Sequence, residues 1–353
     1  MAGHDRITAE GKRFFEQIEE LKKLQVRVGY QRGEKTEEDG TDLVDIAVIN
    51  EVGTDTIPAR PFMRESVDNN KDAIGKIGEA VLKEVVQGGT AEQALEKIGD
   101  AQVGFISNTI WQYCKQKGPG WHLMTNAEWA AVALWCKKNG FMPKGNNNYG
   151  KDSTEGALPQ RALGTYRNTD GTIYRTATGS GPASWYHDNT AAGIADLNGN
   201  VWEWNGGLRL VDGEIQIIPN NDAADWNNPL TPTSTLWRAI KPDGTLVAPG
   251  TAGTLKYGTS WSNTKFSSIV TTPAATGAGI TLLESLGLIP HTGAASADYG
   301  DDAVWANITG ERLPIRGGSW RGAVSAGVFA LSLSSAGSGV DTHIGFRAAF
   351  CSL

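Results

Sequence analysis

The chain has 353 residues and a formal net charge of -7, long enough for two or three domains and a large core. Its 32 Lys and Arg face 39 Asp and Glu with no basic stripe, which argues against a nucleic-acid binder because phosphate neutralisation needs clustered cations. No apolar run reaches the roughly 18 residues of a membrane span, and "MAGHDRITAEGKRFF" lacks the apolar centre of a secretory signal, so synthesis in the cytoplasm is expected. Cys114, Cys136 and Cys351 are an odd number without metal-ligand spacing and read as idle thiols. All 12 tryptophans lie at or after Trp111, whereas residues 1–110 are Trp-free and charge-rich. Two domains of different character follow, 1–110 and 111–353.

In the first, "ITAEGKRFFEQIEELKKL" sets Phe14, Ile18, Leu21 and Leu24 at spacings of three and four, the stripe of an amphipathic helix. "QVRVGYQRG" alternates like a short strand, and "DLVDIAVINEVGT" reads as a short helix stopped by Gly53. Two further helices follow the prolines of "IPARPFMRESV"; Thr90 caps the second, with Gln93 completing a capping box. Nothing catalytic is present: no metal-spaced His, no phosphate loop, no Ser/His/Asp grouping. The combination of "VGYQRG", "IAVINEVGTDTIPARPFMR" and the paired helices resembles the small tail-component and tail-completion proteins of long-tailed bacteriophages, over about residues 8–110. That resemblance implies a small α+β domain with a structural role in a virion. It also implies contacts with virion components and repetition of the subunit in a homo-oligomeric ring or neck.

The second domain opens with a helix, a "KGPG" turn, a brief strand and a helix whose Trp129, Val132, Ala133 and Cys136 share one face. Thr125 or Asn126 caps that helix, with Glu128 in its first turn. "PKGNNNYGKD", "TATGSGPASWYHDNTAAG" and "TTPAATGAGIT" are Gly-, Asn- and Thr-rich and read as long irregular loops. "GNVWEW", "LPIRGGSW" and "GFRAAF" then stand in an order that closely resembles the C-type lectin fold in the form shared with formylglycine-generating enzymes. The overall expectation is α+β, a small twisted antiparallel sheet with two helices and long loops.

That enzyme family works with a cysteine pair on copper, and soft thiolates suit Cu(I). Cys351 stands alone after "GFRAAF", so no enzyme and no cofactor are expected. Asp196, Asn198 and Asn200 in "DLNGN" could supply oxygen ligands to a structural calcium ion, but such residues are more often turn-formers. Trp185, Trp202 and Trp204 read as core.

Within this fold, "HLMTNAEWAA", "GNNNYGKD", "GNVWEW", "RGGSW", "AGVFAL" and "GFRAAF" look very like the variable proteins of diversity-generating retroelements. In those proteins adenines in a template repeat are rewritten, and Asn codons never become Lys, Glu, Gln, Met or Trp. Arg321–His343 contains none of the five. The resemblance implies a fixed frame of Arg316, Gly317, Gly318, Trp320, Phe329, Leu331, Leu333, Gly345, Phe346 and Arg347. It implies diversified, outward ligand-binding positions at Ser319, Arg321, Gly322, Ser325, Ser332, Ser334, Ser335, Gly339, Asp341 and His343, with Ala323 and Val324 fitting the register less clearly. Strand alternation fits this split: Phe329, Leu331 and Leu333 on one face, Ala330, Ser332 and Ser334 on the other. The expected role is binding a host-surface protein or glycan from a virion tail or neck, with an undiversified carbohydrate-binding module as the alternative.

Overall fold

A computed structural model describes residues 110–353 apart from 157–159, 168–169, 226, 338–340 and 352–353, with isolated positions of the first 109. The chain separates into two units, Met1–Thr109 and Ile110–Leu353. In the first, Lys12, Arg13, Glu16, Glu19, Lys71, Lys76, Glu79 and Lys83 are helical and exposed, the charged faces expected of such helices. The stripe Phe14, Ile18, Leu21 and Leu24, the "QVRVGYQRG" strand and the Gly53 helix stop lie outside the described residues.

The second unit is mixed α+β, with few helices and several sheets. After helical residues 110–115 come β1 (Trp121–Leu123), α1 (Asn126–Lys138), β2 (Gly164–Arg167) and β3 (Ile173–Thr176). Next are β4 (Trp202–Trp204), β5 (Leu208–Val211), β6 (Glu214–Ile217), β7 (Arg238–Ile240), β8 (Leu246–Val247), β9 (Trp261–Lys265) and α2 (Ala278–Ser285). The last are β10 (Ala303–Ala306), β11 (Glu311–Arg312), β12 (Ile315–Gly317), β13 (Gly327–Leu333), β14 (Ile344–Phe346) and β15 (Ala348–Phe350).

The small antiparallel sheet expected is corrected: a six-stranded mixed sheet runs β14-β4-β12-β13-β10-β9, with β14–β4 and β10–β13 parallel, and a five-stranded sheet runs β11-β5-β6-β7-β8. β2 and β3 form a separate hairpin, and β1 pairs with β15, Trp121 opposite Phe350 and Leu123 opposite Ala348. The first and last strands of the unit thus close on each other, and "WHLMTN" has its partner in "AAF". Helix α1 begins where expected. Thr125 accepts from Glu128 N through Oγ1 at 3.1 Å while Glu128 accepts from Thr125 N at 2.9 Å, a reciprocal capping box. "TTPAATGAGIT" is loop only in part, since its end is the first turn of α2.

β13 corrects the alternation expected of it: all seven residues are buried. It lies third from one edge of the six-stranded sheet, between β12 and β10, and a strand covered on both faces has no solvent side to mark with polar residues. Phe329, Leu331 and Leu333 pack with Trp129, Phe266, Tyr299 and Val304 in the main core, and Trp129 Nε1 donates to Val328 O at 2.8 Å.

Arg316 crosses this core fully buried. Its Nε and Nη2 donate to Asn126 Oδ1 at 3.0 and 2.6 Å, and Nη2 also to the carbonyls of Leu286 and Gly287 at 3.2 and 3.1 Å. Burial lowers its pKa to about 10, so the cation persists at neutral pH. Carbonyls at the negative end of the α2 dipole take the place of a carboxylate.

Candidate ligand-binding end of the sheet

The frame motifs interlock. Arg347 of "GFRAAF" grips Glu203 of "GNVWEW" through two bonds, Nε to Oε2 at 2.5 Å and Nη2 to Oε1 at 2.6 Å, and reaches Asp196 O at 3.3 Å. Burial opposes the Arg347 charge, and Glu203 more than reverses this, raising its pKa. In "RGGSW", Gly317 and Gly318 have φ of 92 and 86°. A Cβ on Gly318 would lie 2.3 Å from that of Ala326, so only glycine lets the chain turn back into β13.

Asparagine side chains brace the neighbouring loops. Asn146 donates to Tyr174 O at 2.8 Å and accepts from Gly150 N at 2.7 Å. Asn147 donates to Asp152 Oδ2 at 3.0 Å and accepts from Ser153 N at 2.7 Å. Asn198 donates to Pro143 O at 2.9 Å and accepts from Asn147 at 3.2 Å, while Asn200 accepts from Thr176 N at 2.9 Å. Asp196 accepts from Gly179 N at 2.7 Å, and burial pushes its carboxyl pKa up. These oxygens are directed at protein donors, and Asp196 and Asn200 hold left-handed turns with φ of 56 and 61°. Among the described residues, no group of three or more His, Cys, Asp or Glu is arranged to hold a metal ion.

The ten expected binding positions do not form one surface. Arg321, Gly322 and Ser325 occupy the turn between β12 and β13; Asp341 and His343 occupy the loop before β14, at the same end of the sheet. His343 Nδ1 lies 2.6 Å from Asp341 Oδ1, and the His343 ring stands edge-on to Trp320, with 6.0 Å between centroids. Burial alone would raise the Asp341 pKa; His343, and then Arg321, more than reverse that and hold it low. Ser334 and Ser335 lie at the other end of β13, about 20 Å of strand away at roughly 3.3 Å per residue. There their carbonyls accept from Arg312 Nη1 at 3.3 Å and Leu313 N at 3.0 Å.

Ser319 and Ser332 are corrected: both are buried, at 3 and 7 % exposure, one in the glycine turn and one in the covered strand. Gly322 is half-buried, and a Cβ there would sit 2.9 Å from that of Ala326, so a larger side chain must displace its neighbour. Gly339 lies outside the described residues. Trp185 and Trp204 are core, but Trp202 is only half-buried and packs edge-on to Trp305, 5.4 Å between centroids.

Ala323 and Val324, which fit the pattern less clearly, are exposed like Arg321, Val324 to 53 %. Ala323 N donates to Asn147 O at 2.8 Å, and Ser325 Oγ lies 2.8 Å from Asn263 Oδ1. Tyr149, 37 % exposed, joins the same end by donating its N–H to Trp320 O at 2.9 Å. Its left-handed backbone has no sequence signature. No protein-family model matches the chain, and no curated protein matches it.

Proposed function

We propose that residues 110–353 form a C-type lectin-type domain, in the form shared with formylglycine-generating enzymes, that acts as a non-enzymatic ligand-binding module. Its binding positions are diversified, as in the variable proteins of diversity-generating retroelements. The proposal includes display from a phage tail or neck by the first unit, and host-surface recognition. The observation that carries it is the convergence of Arg321, Asp341 and His343, from two loops, at one end of a sheet whose frame motifs are tied by Arg347 and Glu203. Pairing of the unit's first and last strands, with few helices and long loops, supports the fold assignment.

The division of labour follows from energetics. Large truncations in a core cost about 2–5 kcal/mol, whereas exposed substitutions usually stay within roughly 0.5 kcal/mol. Rewriting is therefore tolerated at Arg321, Ala323, Val324, Asp341 and His343 and resisted at Ser319, Gly322 and Ser332. Burial raises the Cys114 pKa to about 12 and the Cys136 pKa to about 11. These thiols stay protonated, unlike a thiolate centre. Sequencing the locus across a phage or prophage population tests the reading: variation concentrated at 321, 323–325 and 341–343 supports it, and flat variation along the chain overturns it.

A further inference from the structure

Two loops meet at the binding end and are stitched by backbone bonds, Ala323 N to Asn147 O and Tyr149 N to Trp320 O. Tyr149 therefore stands beside the turn that carries Arg321 and Val324. Tyr149 and Ala323 both have left-handed backbones, with φ of 50 and 46°, the region that glycine or asparagine normally fills. A bulky ring held there is an outlier, and such outliers gather at functional surfaces. The ring of Tyr149 leans on Tyr174, 5.7 Å between centroids, and Tyr174 stacks on Trp320 at 6°.

The groups a sugar needs are committed internally. The Ser325 hydroxyl is directed at Asn263, Asp341 is held by His343 and faces Arg321, and Trp320 is 2 % exposed with no open face. The outward surface offers a phenol ring, a guanidinium and the methyl groups of Ala323 and Val324. Tyrosine and arginine around an apolar centre is the composition of a protein–protein hot spot.

We propose that Tyr149, Arg321, Ala323 and Val324 form one composite surface for a protein ligand, a segment presenting an apolar side chain beside a carboxylate. The apolar group packs on Tyr149 and Val324, and the carboxylate pairs with the Arg321 guanidinium, for which Asp341 is shared with His343. The inference rests on the ligand-binding reading above and adds to it an anchor, Tyr149, that lies outside the rewritten segment.

The test uses the full chain, immobilised and challenged in parallel with a displayed library of random peptides and with a glycan array. The expected result is enrichment of peptides with Leu, Ile or Phe next to Asp or Glu. Tyr149→Asn should weaken their binding by about tenfold or more, with an unchanged or higher melting temperature because asparagine suits the left-handed backbone. Arg321→Glu should abolish the acidic preference, and Val270→Ser, exposed elsewhere, should change nothing. Glycan binding that depends on Tyr149, no enriched peptide, or full binding by Tyr149→Asn overturns the proposal. Peptide binding that depends on Tyr149 at an unvarying locus would remove the diversification reading and leave this surface standing. A varying locus without peptide binding would do the reverse.

Discussion

Replacing Arg347 by Met removes the cation that follows β14 and pairs with Glu203 of β4. The two side chains are 19 and 8 % exposed and share bonds of 2.5 and 2.6 Å. Removing one partner of a buried pair costs about 3–5 kcal/mol, because the other charge stays buried without compensation. In a domain of this size each kcal/mol moves the melting temperature by roughly 2–4 °C, so a fall of about 6–20 °C is expected. Tryptophan fluorescence reads this unit alone, since all 12 tryptophans lie at or after Trp111. Adding Glu203→Gln removes the stranded charge and should restore most of the loss. A fall of less than about 3 °C for Arg347→Met, or a double variant no better than the single one, would refute the reasoning that this pair ties the frame together.

Other outcomes follow from buried groups. Asp302 is buried, accepts from Phe329 N at 2.8 Å, and has its pKa raised well above 3.8 by burial. Its contribution is full below 3.8 and lost as pH rises through the folded value, so Asp302→Asn should gain on the wild type in thermal melts as pH increases. His122 is the opposite half of a pair: burial would depress its pKa, but its 2.8 Å contact with Glu128 outweighs this and raises it, while Glu128 is lowered. The His122 contribution fades as pH rises above 6.5 and that of Glu128 as pH falls below 4.5. Their joint stabilisation therefore peaks between those limits, and His122→Gln should flatten the melting profile on the alkaline side. In a native thiol titration Cys351 should react fast, with Cys114 and Cys136 reacting only on denaturation; fast modification of all three would contradict their burial. Gly318→Ala should destabilise by more than about 1 kcal/mol in denaturant melts, since its left-handed φ and the Ala326 contact both oppose a Cβ.

Local rules carried the sequence reading furthest. The capping box at Thr125 and Glu128 needs only a three-residue spacing, and the frame motifs turn out to touch through Arg347 and Glu203. Alternation in β13 was legible as strand but not as exposure, because β13 is an inner strand between β12 and β10 and all of its residues are buried. The ten expected binding positions were read from one contiguous segment, and that segment runs through the interior between its two ends. Hence Arg321 comes near Asp341, which contacts His343, while Ser334 lies a strand-length away. Tyr149 and Asn263 join this end of the sheet through contacts that span 171 and 62 positions of sequence, respectively, for the backbone bond to Trp320 and the bond to Ser325, and no local pattern announces such pairs.

The chain leaves the binding end at His343 and runs through β14 and β15 to lie against β1, antiparallel to it and close to where the unit begins. A pull applied between His343 and the chain entering at β1 runs along these strands. An antiparallel pair pulled lengthwise must give up its bonds together, in shear, whereas a pair pulled sideways opens one bond at a time. The β1–β15 seam thus resists a lengthwise pull on the chain that enters the unit at β1.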